Sequence, residues 1–321
     1  MIRKLLFTLL LTSSLAEAQS YAPAAGQAGS TAIAKSSTVF KGWATGISVV
    51  RGPQDIANPT GPLASSGDPS GALGGTSTGV VCLGDGGSAT LTFGVPIANG
   101  PGFDFAVFEN GFSDTFLELA FVEVSSNGVN FFRFPSHSET QTTTQIGGFG
   151  AVDCRYINNL AGKYRVNFGT PFDLSDVPNN ALLDKNNITH VRVIDVIGTI
   201  NPLYASHDSF GNIVNDPYST PYATGGFDLN AVGVINQKTL LSAKSFDLAS
   251  VTLYPNPTSD MVYLDTDQQS SILIYDMGGN VRKKLPTAQY NEVKVSDLNP
   301  GIYLFEITID EKKTTKRIVI K

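Results

Sequence analysis

The sequence predicts an all-β protein, a jelly-roll-like β-sandwich passenger followed by a small immunoglobulin-like β-sandwich. Three observations carry that reading. Apolar residues recur at every second position in segment after segment, the period of a half-buried strand rather than of a helix. Clusters such as Asp85-Gly86-Gly87, Ser126-Asn127-Gly128 and Asn299-Pro300-Gly301 punctuate those segments with residues suited to tight turns. No apolar run approaches the roughly 20 residues that span a bilayer.

At the N-terminus, Arg3 and Lys4 precede a short apolar run over residues 5–11, and Ala16-Glu17-Ala18 offers a small-x-small cleavage pattern. Residues 1–18 are therefore expected to be a signal peptide. Residues 19–38, rich in Ala, Gly and Ser, are expected to be a flexible lead-in. A single passenger domain over 39–237 follows, then a linker over 238–250 and a terminal domain over 251–321; all-β chains of roughly 230 residues commonly fold as one domain. Residues 19–250 carry 18 acidic and 11 basic side chains, a net charge of −7, with no run of Lys and Arg. That balance argues against nucleic acid, whose phosphates need clustered cations, and is compatible with binding a cation.

Within the passenger, residues 40–50, which include Trp43, form a first strand, and the Pro- and Gly-rich stretch 51–78 forms a long loop. Residues 79–84 and 88–93 are expected to pair as a β-hairpin across Asp85-Gly86-Gly87. Residues 103–111 are apolar on both faces, so this strand is central and delivers Glu109 and Asn110 to the rim. Strands over 117–125 and 129–134 come next. Glu118 and Glu123 have opposite parity, which argues against their serving together as a glycosidase pair, although either could meet Glu109 from a neighbouring strand. Residues 136–157 read as a long polar connection and 161–174 as turn-dominated. In the strand 190–197, Asp195 shares the parity of Val191 and Val193, a costly position unless a cation or several donors meet the carboxylate. In the last strand, 226–235, Asp228 and Asn230 lie on the side of Val232 and Val234.

The terminal stretch alternates at Val262 and Leu264, at Ile272 and Ile274, and again over 302–307, with turns at Met277-Gly278-Gly279-Asn280 and Asn299-Pro300-Gly301. Pro255 and Pro257 cannot donate to a ladder, so residues 254–258 form a stiff lead and not a central strand. The blocks Leu253-Tyr254-Pro255-Asn256-Pro257, Ile274-Tyr275-Asp276-Met277-Gly278-Gly279, Asn299-Pro300-Gly301-Ile302-Tyr303 and the closing Ile318-Val319-Ile320-Lys321 resemble, in this order, the type A sorting domain of the Bacteroidetes type IX secretion system. The resemblance implies export through the outer membrane after a first crossing into the periplasm. It implies the secretion machinery and its sortase as partners, removal of the tail, and release or attachment to surface lipopolysaccharide. It places the sorting motif on Pro255, Asn256, Pro257, Asp276, Gly279, Gly301, Tyr303 and Lys321.

The passenger's own blocks resemble a family of secreted bacterial proteins known only as cell surface proteins. They run from Leu83-Gly84-Asp85-Gly86-Gly87 through Asp104-Phe105-Ala106-Val107-Phe108-Glu109-Asn110 to Gly226-Phe227-Asp228-Leu229-Asn230. The family brings no established activity. Its members usually carry Asp where this chain has Asn230, and do not usually carry Cys82 and Cys154.

Cys82 and Cys154 would meet an oxidising compartment, where they form either one disulfide or two buried thiols. His137, His190 and His207 lack zinc-ligand spacing, and no nucleophile elbow, P-loop or dinucleotide fingerprint is present. Two candidate sites remain. Asp208, Asp216, Asp228 and Asn230, joined by Glu109 or Asp195, supply the oxygens that a structural Ca²⁺ needs. Trp43, Tyr156, Tyr204, Tyr218 and Tyr222 could form a platform on which a sugar stacks. The resulting expectation is a non-catalytic surface protein that binds a glycan or another small ligand. The alternatives are a structural or adhesive coat protein, a glycoside hydrolase-like enzyme, and a corrinoid-capture protein.

Overall fold

The computed structural model describes residues 21–239, 251–266 and 268–321, which divide into two compact units separated after Thr239. The expected signal peptide and most of the expected linker lie outside the described residues. No helix among the described residues is long and apolar enough to cross a membrane.

The first unit is a sandwich of antiparallel sheets, as the alternation predicts. Its strands are β1 (Ile33–Ala34), β2 (Gly42–Trp43), β3 (Gly46–Val50), β4 (Val81–Cys82), β5 (Ser88–Ile97), β6 (Phe105–Glu109), β7 (Ala120–Ser125), β8 (Phe132–Arg133), β9 (His137–Ser138), β10 (Ile157–Asn158), β11 (Phe168–Phe172), β12 (Ile188–Asp195) and β13 (Asp228–Val234). One sheet runs β1-β11-β6-β13-β2, with β4 also on β13; the other runs β3-β5-β12-β7-β8, and β9 pairs β10 apart from both. Every residue of β6 is buried, as its two apolar faces require. Ala89, Leu91, Val122, Val124, Val191 and Val193 from the second sheet meet Val81, Phe105, Val107, Leu229 and Val232 from the first in one core. Removing each large side chain of that set from water is worth about 1.5–3 kcal/mol.

Four expectations are corrected. The hairpin across Asp85-Gly86-Gly87 does not form: β4 pairs with β13 and β5 with β3 and β12, so the turn carries the chain from one sheet to the other. The turn is held there by Asp195, whose carboxylate accepts from Gly86 N at 2.9 Å and Phe227 N at 2.7 Å. This requires glycine at 226, where φ is +74° and a Cβ would stand 2.8 Å from the Gly84 backbone. Secondly, residues 21–38 are docked rather than flexible: β1 pairs β11, Ala24 and Ala25 are buried, and Tyr21 Oη lies 2.5 Å from His137 Nδ1. Thirdly, the turn-dominated stretch 161–174 contains β11. Pro171 is tolerated because β1 reaches only Phe168 and Gly169, leaving Pro171 an unpaired edge on that side. Fourthly, Cys82 and Cys154 are both free and buried. Cys82 sits on β4 beside β13, whereas Cys154 packs among Leu117, Leu119, Val152 and Ile157 in a separate cluster, so no disulfide joins them.

The second unit pairs β14 (Thr252–Tyr254), β15 (Met261–Asp265) and β18 (Glu292–Lys294) in one sheet. A second sheet orders β17 (Val281–Gln289), β16 (Gln269–Asp276), β19 (Gly301–Ile309) and β20 (Lys312–Ile320). Val262, Leu264, Ile272, Ile274, Val293, Phe305, Ile307, Ile318 and Ile320 form its core, on the alternate positions that the sequence marks. Asp310 and Glu311 take positive φ in the two-residue turn between β19 and β20.

Candidate functional site

The ends of β4, β6 and β13 and the residues just before β7 enclose a cavity of about 290 Å³. Cys82, Glu109 and Asp228 reach it from the three strands, and Glu118 reaches it from the segment before β7. At its mouth Phe112, Phe116 and Phe149 form a run of stacked rings, with centroids 5.4 and 6.0 Å apart and planes within 21°. Phe112 is 76% exposed and Phe149 79%, so these rings face solvent instead of filling a core. Tyr222, Ser66 and Thr220 also line the cavity.

The loop over 51–78 is fastened to this site by one side chain. Arg51 Nη1 donates to Ser66 O at 2.7 Å and to Cys82 O, and Nη2 donates to Gly67 O at 2.6 Å. Ser65 N and Ser66 N then donate to Ala223 O, closing the loop on the segment that carries Tyr222. The loop is ordered here because two of its carbonyls and one from β4 converge on one fixed cation.

Burial governs the chemistry of the cavity. It drives the Glu109 carboxyl well above the usual carboxylate range, and neighbouring Asp228 adds to the effect. Glu118 is raised by burial and then by Glu109. Burial pushes Asp228 up to about 6 and the Cys82 thiol up to about 12. Carboxyls of this kind hold protons near neutrality, so they can donate as well as accept hydrogen bonds. Glu109 Oε2 accepts from Gly111 N at 2.6 Å. The Asp228 carboxyl takes hydrogen bonds from the Cys82 and Asn110 side chains, while its Oδ1 is buried without a partner.

The six residues expected to hold Ca²⁺ do not converge as one ligand set, although Asp228 and Asp216 lie near enough to raise Glu109, and Asp216 to raise Asp195. Asp208 accepts from Ser138 N, Phe210 N, Asn212 N and Asn212 Nδ2. Asp195 is occupied by Gly86 N and Phe227 N, and Asp216 accepts from Leu119 N. Asn230 turns its Nδ2 to Thr76 O and Gly79 O. Only Glu109 and Asp228 share the cavity, and among the described residues no group of three or more His, Cys, Asp and Glu is disposed to hold a metal ion. The set does not fit a cage of six to eight oxygens.

The aromatic platform is likewise dispersed. Trp43 packs on Phe40 and Phe108, Tyr218 Oη donates to Asp55 Oδ1, and Tyr156 lies in a 3₁₀ turn at Cys154–Tyr156. Tyr204 lies near Tyr218, and Tyr222 alone of the five lines the cavity. The residues that sequence reasoning missed are Phe112, Phe116, Phe149 and the role of Glu118. The available signal was an unexplained phenylalanine among turn residues, as in Gly147-Gly148-Phe149-Gly150, with no apolar stripe to join.

In the second unit, Asn256 stands between Pro255 and Pro257 and uses its carboxamide as a strand edge. Oδ1 accepts from Val319 N and Nδ2 donates to Arg317 O, both at 2.9 Å. Thr258 N donates to Val319 O, and Lys321 N returns a bond to Thr258 O. The Pro-Asn-Pro segment is thereby laced along β20. Residues 252–321 match the family described as "Secretion system C-terminal sorting domain". The second unit is a type IX sorting domain. The chain is therefore exported, to the medium or the outer cell surface, and the sorting domain implies interaction with the type IX machinery. Within the sorting domain, Asp276 accepts from Gly278 N and Asn280 N to close a turn in which Gly279 takes φ +81°. Tyr303 Oη donates to Asn299 O beside Gly301, the first residue of β19.

No curated protein matches the chain. Among solved structures, one titled "Biofilm associated protein - BSP domain" is similar at 10% identity with a TM-score of 0.21; the match covers 80% of this chain and 53% of that one, so this chain spans about half of its length. A likeness this remote carries no argument about function.

Proposed function

We propose that the passenger is a non-catalytic binding protein that takes a sugar-like, polyhydroxylated ligand into the cavity between Glu109, Glu118 and Asp228. The observation that carries this reading is one cavity wall that bears Glu109, Glu118 and Asp228 and opens beneath the exposed rings of Phe112 and Phe149. Partly protonated carboxyls suit hydroxyls because each can donate to one and accept from another. The rings supply flat apolar faces for the C–H faces of a sugar. After the sortase removes the tail, the passenger is released or joined to surface lipopolysaccharide, with the cavity free to bind.

A glycan array probed with the exported protein, followed by calorimetry on any hit, tests the reading. Asp228→Asn and Phe149→Ala are each expected to weaken a hit at least tenfold while leaving the unfolding transition in place. Absence of any hit would favour a coat protein. New reducing ends, lost in Glu118→Gln, would favour a hydrolase, since paired carboxyls across a cleft also serve that chemistry.

A further inference from the structure

The second sheet of the passenger presents a different surface. Ser48 pairs with Thr90, Thr90 with Arg192, Arg192 with Glu123 and Glu123 with Arg133, so one row crosses all five strands. The neighbouring row sets Thr92 opposite His190. Val191, Val193 and Val122 point into the core, so these residues line the outer face.

Both guanidinium groups on that face are rigidly held. Glu123, 7% exposed, accepts from Arg133 Nε at 3.0 Å and Nη2 at 2.9 Å, and from Arg192 Nε at 2.8 Å and Nη2. Arg192 Cζ lies 3.8 Å from the centroid of Phe131, and Arg133 Cζ 4.3 Å from that of Phe121. One carboxylate thus serves two cations and leaves a unit of positive charge. Neither Nη1 atom has a hydrogen-bond partner among those bonds. A shallow groove of about 490 Å³ runs beside Arg192, lined also by Ser48, Thr90, Thr92, Phe131 and His190, and no carboxylate lines it.

We infer that this groove binds the carboxylate of an acidic saccharide chain lying across the strands. Arginine presents paired N–H donors that match a carboxylate, and a guanidinium already fixed by a ring and a partner loses little freedom on binding. Ser48 and Thr90 place hydroxyls on adjacent strands about 4.8 Å apart, and Thr92 adds one about 7 Å further along β5, an array that addresses hydroxyls along a polymer rather than a single small ion. An acidic peptide is disfavoured because strand backbone groups lie in the plane of the sheet, so this face offers a peptide main chain only side-chain partners. A nucleic acid is disfavoured because the residual positive charge is small and residues 19–250 carry a net charge of −7.

Binding of an oligogalacturonate to the exported protein, measured by calorimetry, tests the inference against its methyl ester and against poly-glutamate. The acid form is expected to bind, to weaken at least tenfold in Arg192→Gln, and to weaken as salt rises from about 0.05 to 0.5 M. Because Arg192→Gln disturbs the Glu123 ladder, Ser48→Glu serves as a second variant: it adds a repelling carboxylate at an exposed position, leaves the ladder intact, and is expected to weaken binding similarly. Equal binding of the methyl ester, equal or tighter binding of poly-glutamate, no binding at millimolar saccharide, or indifference to Ser48→Glu would each overturn the inference.

Discussion

Asn256 and Val319 are joined side chain to backbone, the Asn256 Oδ1 taking the Val319 N–H at 2.9 Å in place of a neighbouring strand. With the reciprocal bond to Arg317 O, one side chain satisfies the outer edge of the last strand where a proline-flanked segment cannot. Asn256→Ala should therefore destabilise the sorting domain by about 1–3 kcal/mol. Asn256→Asp keeps the acceptor, loses the donor and should fall between. Urea unfolding of the tailed protein, followed through the sorting-domain transition, checks both; an unchanged midpoint in Asn256→Ala would show that the lacing is incidental.

Arg51 organises the loop over the cavity. Arg51→Ala leaves the carbonyls of Ser66, Gly67 and Cys82 without their shared cation and should lower stability by about 2–4 kcal/mol, with ligand affinity falling alongside. Arg51→Lys should recover only part, because an ammonium lacks the planar fork. Faster proteolysis within residues 51–78 of the Ala variant is the simplest readout.

Burial of acids sets the direction of the pH response. Asp85 and Asp228 are both pushed up to about 6 by burial, so the folded chain keeps protons that the unfolded chain, titrating near 4, gives up. Their stabilisation is complete below about pH 4 and is lost as pH rises through about 6. Chemical unfolding at pH 5 and at pH 7.5 should show the passenger less stable at the higher value by about 1.4 kcal/mol for Asp85 alone. Asp85→Asn should flatten that slope, and a slope of the opposite sign would contradict the assignment.

Calcium should have little effect. Asp195, Asp208 and Asp216 already serve as acceptors for backbone N–H groups, and Asn230 is turned to two carbonyls. The melting temperature is expected to stay within a degree or so on adding millimolar calcium or a chelator. A rise of several degrees with calcium would instead reveal a cage, since ligand at about a thousand times its Kd adds about 4 kcal/mol.

Much of the sandwich was legible because strand alternation is written in side chains. The residues 103–111 and 190–197 read correctly from parity alone, and so did the inward position of Asp195. What defeated the reading was partner choice. Asp85-Gly86-Gly87 has the chemistry of a hairpin turn, yet which strands it joins is set by Asp195, more than a hundred residues away. The cavity was half legible: Glu109 was placed at a strand end, but Glu118 and the three phenyl rings come from segments with no periodicity to orient them. The terminal domain was clearest, because its strand and turn blocks follow in order over residues 252–321, although the strand that Asn256 meets lies about 60 residues away.

Thiol chemistry offers a further check. Cys82 and Cys154 are buried and their protonated forms are favoured by that burial, so iodoacetamide should modify neither in the native protein and both after denaturation, as read by intact mass. A native mass lower by two hydrogens, with no alkylation on unfolding, would mean a disulfide instead.

Those two shielded sulfurs make the order of events during transit matter. While the chain is still loose in the envelope, its cysteines are open to capture by the oxidase relay of that space and to mixed links with passing proteins. Once the sandwich has closed, both are buried, Cys82 at the cavity and Cys154 in an apolar cluster, with almost no reactive anion to offer. Early collapse would therefore confer chemical inertness, and a lag in that step would be recorded as covalent adducts on the cargo reaching the medium.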